Sequence, residues 1–246
     1  MPEIDKLEGR HAVTEALKAG LAVECLYLQE DLKSNEKEAL AALAKKQGAR
    51  LSYLTKEKLD RLSEAGRHQG MIAEIRLPDY ATPEEMLERA AQKGEDPFLI
   101  LLDGIEDPHN LGAIIRSAHL AGAHGVIIPK NRAARLNATV ARISAGAAGF
   151  LPVAQVTNLS RTMEELKEKG LWFACADMDG EVLYRRNLKG PVGLVIGSEG
   201  SGVSQNVKKH CDFVISIPMN GQIDSLNASV AAGIMMFEVV RQRRFI

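Results

Sequence analysis

Apolar and polar positions along the chain fall into two patterned regions. Between residues 10 and 76, helical and strand-like periods alternate. Arg10 to Lys18 puts Ala12, Val13, Ala16 and Leu17 on one side, and Gly20 is a good stop. Cys25 to Leu28 reads as a short strand, Glu36 to Gln47 as a helix closed by Gly48, and Arg50 to Leu54 as a strand. Lys56 to Ser63 is helical, and Gly70 to Ile75 is a final strand. The pattern predicts an αβαβαβ unit of about 75 residues, near the lower limit for independent folding. Pro78, Pro83, Gly94 and Pro97 then mark a linker with a short helix, Glu84 to Gln92.

From Phe98 onward the pattern is richer in β-branched runs and glycine. Strands are expected at Phe98–Leu102, Gly125–Ile128, Val153–Val156, Leu171–Cys175, Val192–Ile196 and Phe213–Ile217. Helices between most of them imply a parallel sheet covered on both faces. One long helix is expected from Ser225 to Gln242, small-residue-rich at first, then Met235, Met236 and Phe237. The resulting division is a first domain over 1–77, a linker over 78–96 and a second domain over 97–246.

Composition narrows the function without choosing it. The 246 residues are 46% hydrophobic and 26% charged, with a formal net charge of -1. That balance gives no overall attraction to nucleic acid, so RNA binding would need local patches. Cys25, Cys175 and Cys211 are far apart, with no Cys-x-x-Cys pair and no His/Cys cluster, so no metal site is expected. The first residues lack the regions of a signal peptide. No run of about 18 apolar residues occurs, and a cytoplasmic location is expected.

Three segments carry the chemistry. In the first, an apolar strand runs into Asp103-Gly104-Ile105-Glu106-Asp107-Pro108-His109-Asn110-Leu111-Gly112 and a helix bearing Arg116. Strand-to-helix junctions of this kind are where open α/β sheets place ligands. Asn110 is a candidate N-cap, and Arg116 shares a helix face with Gly112. Its guanidinium could then sit by the free N–H groups of a helix start, a setting for a phosphate or a developing oxyanion. A simple cap with a solvated arginine fits the same letters. In the second segment, Gly193 to Ile196 leads into Gly197-Ser198-Glu199-Gly200-Ser201-Gly202. It lacks the lysine of a Walker loop and the spacing of a dinucleotide fingerprint. Glu199 suits a hydroxyl, an amine or a cationic centre better than a polyphosphate, and a tight turn with an exposed glutamate is the plain alternative. In the third, Ile215-Ser216-Ile217-Pro218-Met219 precedes Ser225-Leu226-Asn227. Pro218 ends a central strand, Asp224 or Ser225 can cap the long helix, and Asn227 is expected in its first turn.

Together the three segments resemble the SpoU (TrmH) family of RNA 2′-O-ribose methyltransferases. The family's Asn-x-Gly-x-x-x-Arg motif, Gly-x-Glu-Gly-x-Gly loop and Ser-Leu-Asn helix start match Asn110/Gly112/Arg116, Gly197/Glu199/Gly200/Gly202 and Ser225/Leu226/Asn227. The likeness extends over 97–245 and more weakly over the first 76 residues. Within the family it is greatest to bacterial 23S rRNA guanosine-2′-O-methyltransferases, which share Asp107 to Gly112, Leu136 to Thr139 and His68-Gln69-Gly70. Some relatives have a basic residue after the glycine loop, where Ser204 stands here.

The resemblance implies an α/β fold of SPOUT type: a mostly parallel sheet with a C-terminal deep trefoil knot, plus a small N-terminal L30e-like α/β domain that holds RNA. It implies S-adenosylmethionine bent in the knot, held by Val195, Ile196, Gly197, Ile217, Met219 and Leu226, largely through backbone groups, and it implies a homodimer. Arg116 would bind the phosphate beside the target ribose and stabilise the emerging alkoxide, because a guanidinium releases its proton only above pH about 12. Asn110, Glu199, Ser225 and Asn227 would position the ribose, the base and Arg116. His109, beside Pro108, reads as a turn residue rather than a general base. Arg10, His11, His68 and Gln69 are candidate RNA contacts in the first domain. Arg132, Arg135 and Arg142, with Lys130, are candidates in the second. The substrate expected is a guanosine of 23S rRNA. Alternatives are a tRNA 2′-O-methyltransferase, a catalytically silent RNA-binding ribosome-assembly factor and, more remotely, a phosphate-binding α/β hydrolase.

Overall fold

The structure, a computed structural model, describes residues 4–18, 20–32, 34–64, 66–221 and 225–245. Its contacts divide the chain into two units: 1–79 with 136–149, and 80–135 with 150–246. The first unit opens with a strand that the sequence pattern does not announce, β1 (Ile4–Glu8). Only two of its five residues are apolar and it lies at a sheet edge, which leaves little period to read. There follow α1 (Arg10–Lys18), β2 (Val23–Gln29), α2 (Ser34–Lys46), β3 (Arg50–Leu54), α3 (Lys56–Leu62) and β4 (Met71–Arg76). The sheet order is β1-β4-β2-β3. β2 and β3 are parallel, whereas β4 runs antiparallel to both of its neighbours. Val13, Leu17, Leu26, Leu28, Met71 and Ile75 form the core.

From Tyr80 the chain runs through α4 (Pro83–Lys93), β5 (Phe98–Asp103), α5 (Pro108–Leu120), β6 (Gly125–Pro129) and α6 (Ala138–Ile143). It continues as β7 (Val153–Val156), α7 (Leu159–Glu168), β8 (Trp172–Val182), β9 (Val192–Gly197), α8 (Gln205–Lys208), β10 (Phe213–Ser216) and α9 (Ala228–Phe245). α4 begins at a capping box, in which Thr82 and Glu85 exchange side-chain-to-backbone hydrogen bonds. The segment 136–149, which the sequence division puts in the second domain, groups with the first unit. There Ala138 and Ala141 of α6 join the apolar cluster of Val13 and Leu17, and Asp5 accepts from the Ala138 N–H at 2.6 Å.

The second unit carries the expected parallel sheet, in the order β10-β8-β9-β5-β6-β7. Leu99 and Leu101 of β5 face Met86 of α4 and Met163 and Leu166 of α7. On the other side, α9 packs against α5 and β9. Burial of both strand faces explains why β5, β6 and β9 are nearly continuous apolar runs. β8 is longer than expected. Its pairing with β10 jumps from Cys175↔Val214 to Glu181↔Ile215, so residues 176–180 leave the ladder. The last helix starts at Ala228 rather than Ser225. No helix among the described residues is long and apolar enough to cross a membrane.

Candidate active site

β5 and β9 are parallel neighbours, but their outgoing chains diverge. After β5 the chain turns into α5, which contacts α9. After β9 it turns toward α8, whose Val207 joins the opposite core with Val203. A crevice opens where such connections part. The glycine loop closes on itself there: Ser198 N–H donates to the Gly202 carbonyl at 3.1 Å, and Gly202 N–H donates back at 2.9 Å. A Cβ on Gly197 would lie 2.0 Å from the Gly202 carbonyl carbon, so only glycine allows this return. Gly202 itself has φ 62°. The closed loop projects Glu199 outward.

Glu199 joins the other two segments. Asn110 Nδ2 donates to Glu199 Oε1 at 3.0 Å, Asn227 Nδ2 donates to the same oxygen, and Asn227 Nδ2 also donates to Asn110 Oδ1 at 3.0 Å. Asn227 is the N-cap of α9, not a first-turn residue: its Oδ1 accepts from Ser229 N–H at 3.0 Å and Val230 N–H at 3.3 Å. Its carbonyl thus serves the helix and its amine serves the site. Asn110, by contrast, is not a cap. α5 begins one turn earlier at Pro108, and Asp107 accepts from His109 N–H at 2.9 Å. Proline is favoured at a first helical position, so Pro108 moves the start N-terminally.

Beside this carboxylate–amide cluster lies a pocket of about 270 Å³. Ile196, Gly197, Ile217, Met219 and Leu226 line it, and Ser225 stands at its wall without a hydrogen bond among the described residues. Val195 lines no part of it. Its side chain is fully buried in the opposite core, because successive strand residues face opposite ways. Asp177 and Met178, from the segment that leaves the β8–β10 ladder, complete one wall. Their part was invisible in the sequence, since the apolar run ends at Ala176, just before them. Lys208, 2.6 Å from Asp177, holds that carboxyl below the usual carboxylate range. Asp224 lies outside the described residues.

Arg116 is exposed on α5, with no hydrogen bond or ion pair among the described residues. It stands eight residues beyond Pro108, about 12 Å along the helix at 1.5 Å per residue. With α5 starting at Pro108, the free N–H groups of the helix start lie farther from Arg116 than a start at Asn110 would place them. Arg132 and Arg135 are exposed in the second unit, while Arg142 is half-buried on α6 in the first. In the first unit, Arg10 and His11 are exposed at the start of α1. His68 is instead an internal tie: its Nδ1 accepts from Gly70 N–H at 3.0 Å, so its Nε2 carries the proton toward Asp60, 2.8 Å away. At 6% exposure it offers no surface to RNA. Gln69, at φ 50°, turns its Oε1 back to accept from Arg10 N–H at 3.1 Å.

A model of the SpoU rRNA methylase family matches residues 97–237, and one for RNA 2′-O ribose methyltransferase substrate binding matches residues 6–81. The chain belongs to the SpoU (TrmH) family of RNA methyltransferases. It is 46% identical over 241 residues to YacO of Bacillus subtilis, named for the TrmH family of tRNA/rRNA methyltransferases, covering 97% of this chain and 96% of that one. Its fold is similar to that of the SpoU methyltransferase AviRb from Streptomyces viridochromogenes in complex with AdoMet, with a TM-score of 0.72 and 26% identity over 98% of this chain and 90% of that one. It is also similar to an RNA 2′-O ribose methyltransferase, with a TM-score of 0.70 and 27% identity over 98% and 89% of the two chains. The protein is accordingly an S-adenosylmethionine-dependent RNA methyltransferase.

Proposed function

We propose that this enzyme methylates the 2′-oxygen of a guanosine in 23S rRNA, with the ribose held at the Asn110–Glu199–Asn227 cluster. The observation that carries this reading is the joining of three distant segments on one carboxylate oxygen at the rim of the pocket. The pocket suits the donor. Ile196, Ile217 and Leu226 offer apolar surface for a flat base, and the lining residues of the glycine loop and Met219 bring backbone polar groups toward its edge. When bound, S-adenosylmethionine supplies an activated methyl group. The chain's own task is alignment, which can provide a large share of the barrier reduction. Glu199 and the two asparagines form a fixed hydrogen-bonding edge for ribose hydroxyls. Arg116 stays protonated, binds the adjacent phosphate and stabilises the emerging alkoxide, while the 2′-hydroxyl proton passes to solvent. In Arg116→Ala, methyl transfer should be lost while donor affinity stays near wild type; wild-type turnover would overturn the assignment.

The finer features have separate supports. The threaded knot is favoured by the route of the C-terminal chain: β10 reaches the far sheet edge, yet α9 returns to pack on α5 and β9. A Cβ on Gly180 would lie 2.6 Å from the Ile215 backbone, so the strands cross closely. A homodimer is favoured by exposed Leu120 on α5 and Val230 and Phe237 on α9; light scattering tests it. The first unit, as an L30e-like module, brings RNA through Arg10 and His11. The choice of 23S rRNA over tRNA follows from the shared Asp107–Gly112 and Leu136–Thr139 stretches. Mapping 2′-O-methyl positions in cells with and without the protein tests it, and a change confined to tRNA would refute it.

A further inference from the structure

We propose that a second cavity, behind the glycine loop, takes one nucleotide of the RNA and reads a guanine base through Glu106. The proposal rests on the reading of the protein as an RNA methyltransferase. The cavity, about 580 Å³, opens where β5, β6, β7 and β9 end, at Asp103, Pro129, Thr157 and Ser198. Ser198, Ser201 and Gly202 line both this cavity and the donor pocket, so the closed loop is a shared wall.

Most of the polar groups here are already engaged. Asp103 accepts from Ser204 N–H at 2.8 Å, Asn206 donates to Ser160 at 2.8 Å, and Asn158 caps α7. Two opposite charges are not. Glu106 and Arg132 both line the cavity, and neither has a hydrogen bond or ion pair among the described residues. Their loops are tied together, Ala134 N–H donating to the Ile105 carbonyl at 2.8 Å, yet the charges do not pair. Arg132 also sits at φ 55°, a left-handed conformation that a non-glycine residue keeps only where its surroundings hold it.

A ligand that suits this pair carries an anion and a hydrogen-donating edge. A nucleotide does. Its phosphate fits a guanidinium fork. Among the four bases, guanine presents two adjacent donors, N1–H and N2–H₂, to the two oxygens of one carboxylate. Adenine, cytosine and uracil each present a single donor group there.

Titration of the full chain with the 5′-monophosphates of guanosine, adenosine, cytidine and uridine tests this directly. GMP should bind about tenfold more tightly than the others, the discrimination one bidentate pair supplies. Glu106→Gln should erase that preference, Arg132→Ala should weaken all four nucleotides about equally, and saturating S-adenosylmethionine should not displace GMP. Equal binding of the four, competition with the donor, or an unchanged preference in Glu106→Gln would overturn the proposal. Methyl transfer to RNA is measured on the same preparations. Transfer without nucleotide preference overturns the cavity assignment alone, whereas GMP preference without transfer overturns the RNA methylation reading alone.

Discussion

Replacing Asn227 by aspartate separates its two tasks. The carboxylate can still cap α9, since aspartate and asparagine are equally good caps. Its charge gains about 0.3–1 kcal/mol at a helix N-terminus. The Nδ2 donor is lost, and with it the bonds to Asn110 and Glu199, each worth about 0.5–1.5 kcal/mol. Two carboxylates about 4 Å apart then repel by about 1 kcal/mol in water-like surroundings and about 4 at an effective dielectric of 20. Both residues are exposed, which favours the lower end. The balance is a loss of about 2 kcal/mol, or roughly 5 °C in melting temperature for a chain of this size. Urea titrations at pH 8 and pH 5 check this. The repelling pair takes up a proton in the folded state as pH falls, so the deficit should shrink toward pH 5. Asn227→Ala, which loses the cap as well, should show a deficit that does not depend on pH. Methyl transfer should fall about a hundredfold in both variants, the cost of misplacing a reacting group by about 1 Å. Wild-type stability of Asn227→Asp at pH 8, or a deficit that does not change with pH, would refute the reasoning.

Gly197→Ala should force the glycine loop open, because its Cβ meets the Gly202 backbone at 2.0 Å; a donor-binding titration should show affinity reduced by tenfold or more. Burial pushes His124 below the ordinary histidine range despite Glu95 at 3.0 Å, with Lys93 and Arg243 pushing the same way as burial. The unfolded chain takes up that proton below pH about 6.5. Stability should therefore fall with acid from that point, by up to about 1.4 kcal/mol per pH unit, and less steeply in His124→Asn. His68→Ala should cost about 2 kcal/mol of first-unit stability in a thermal melt, because it leaves the Gly70 N–H and Asp60 without their partner. RNA affinity, if Arg132 and Arg135 follow the backbone, should fall steeply between 50 and 200 mM salt; a flat dependence would remove them from the RNA path.

Sequence by itself determined most of the elements and brought out the three motif segments. The apolar runs at β5, β6 and β9 announce a buried parallel sheet, because strands covered on both faces cannot alternate. The three motif segments were legible because each needs unusual residues: a glycine for backbone return at 197, a proline to start α5 at 108, and an asparagine that both caps and donates at 227. Helix starts were misread at Asn110 and Ser225. Several residues in a row can cap, and the choice depends on what each side chain meets in space. For Asn110 and Asn227 that partner is Glu199, 89 and 28 residues away in the chain. Only the tertiary structure decided the rest. Residues 176–180 leave the ladder, Ala176, Asp177 and Met178 wall the pocket, and β10 passes so close to Gly180 that a Cβ there would meet the Ile215 backbone. His68 is sealed inside by Gly70 and Asp60. Glu106 and Arg132 face one cavity without pairing. Each of these depends on contacts between segments far apart along the chain, and local periodicity carries no record of such contacts.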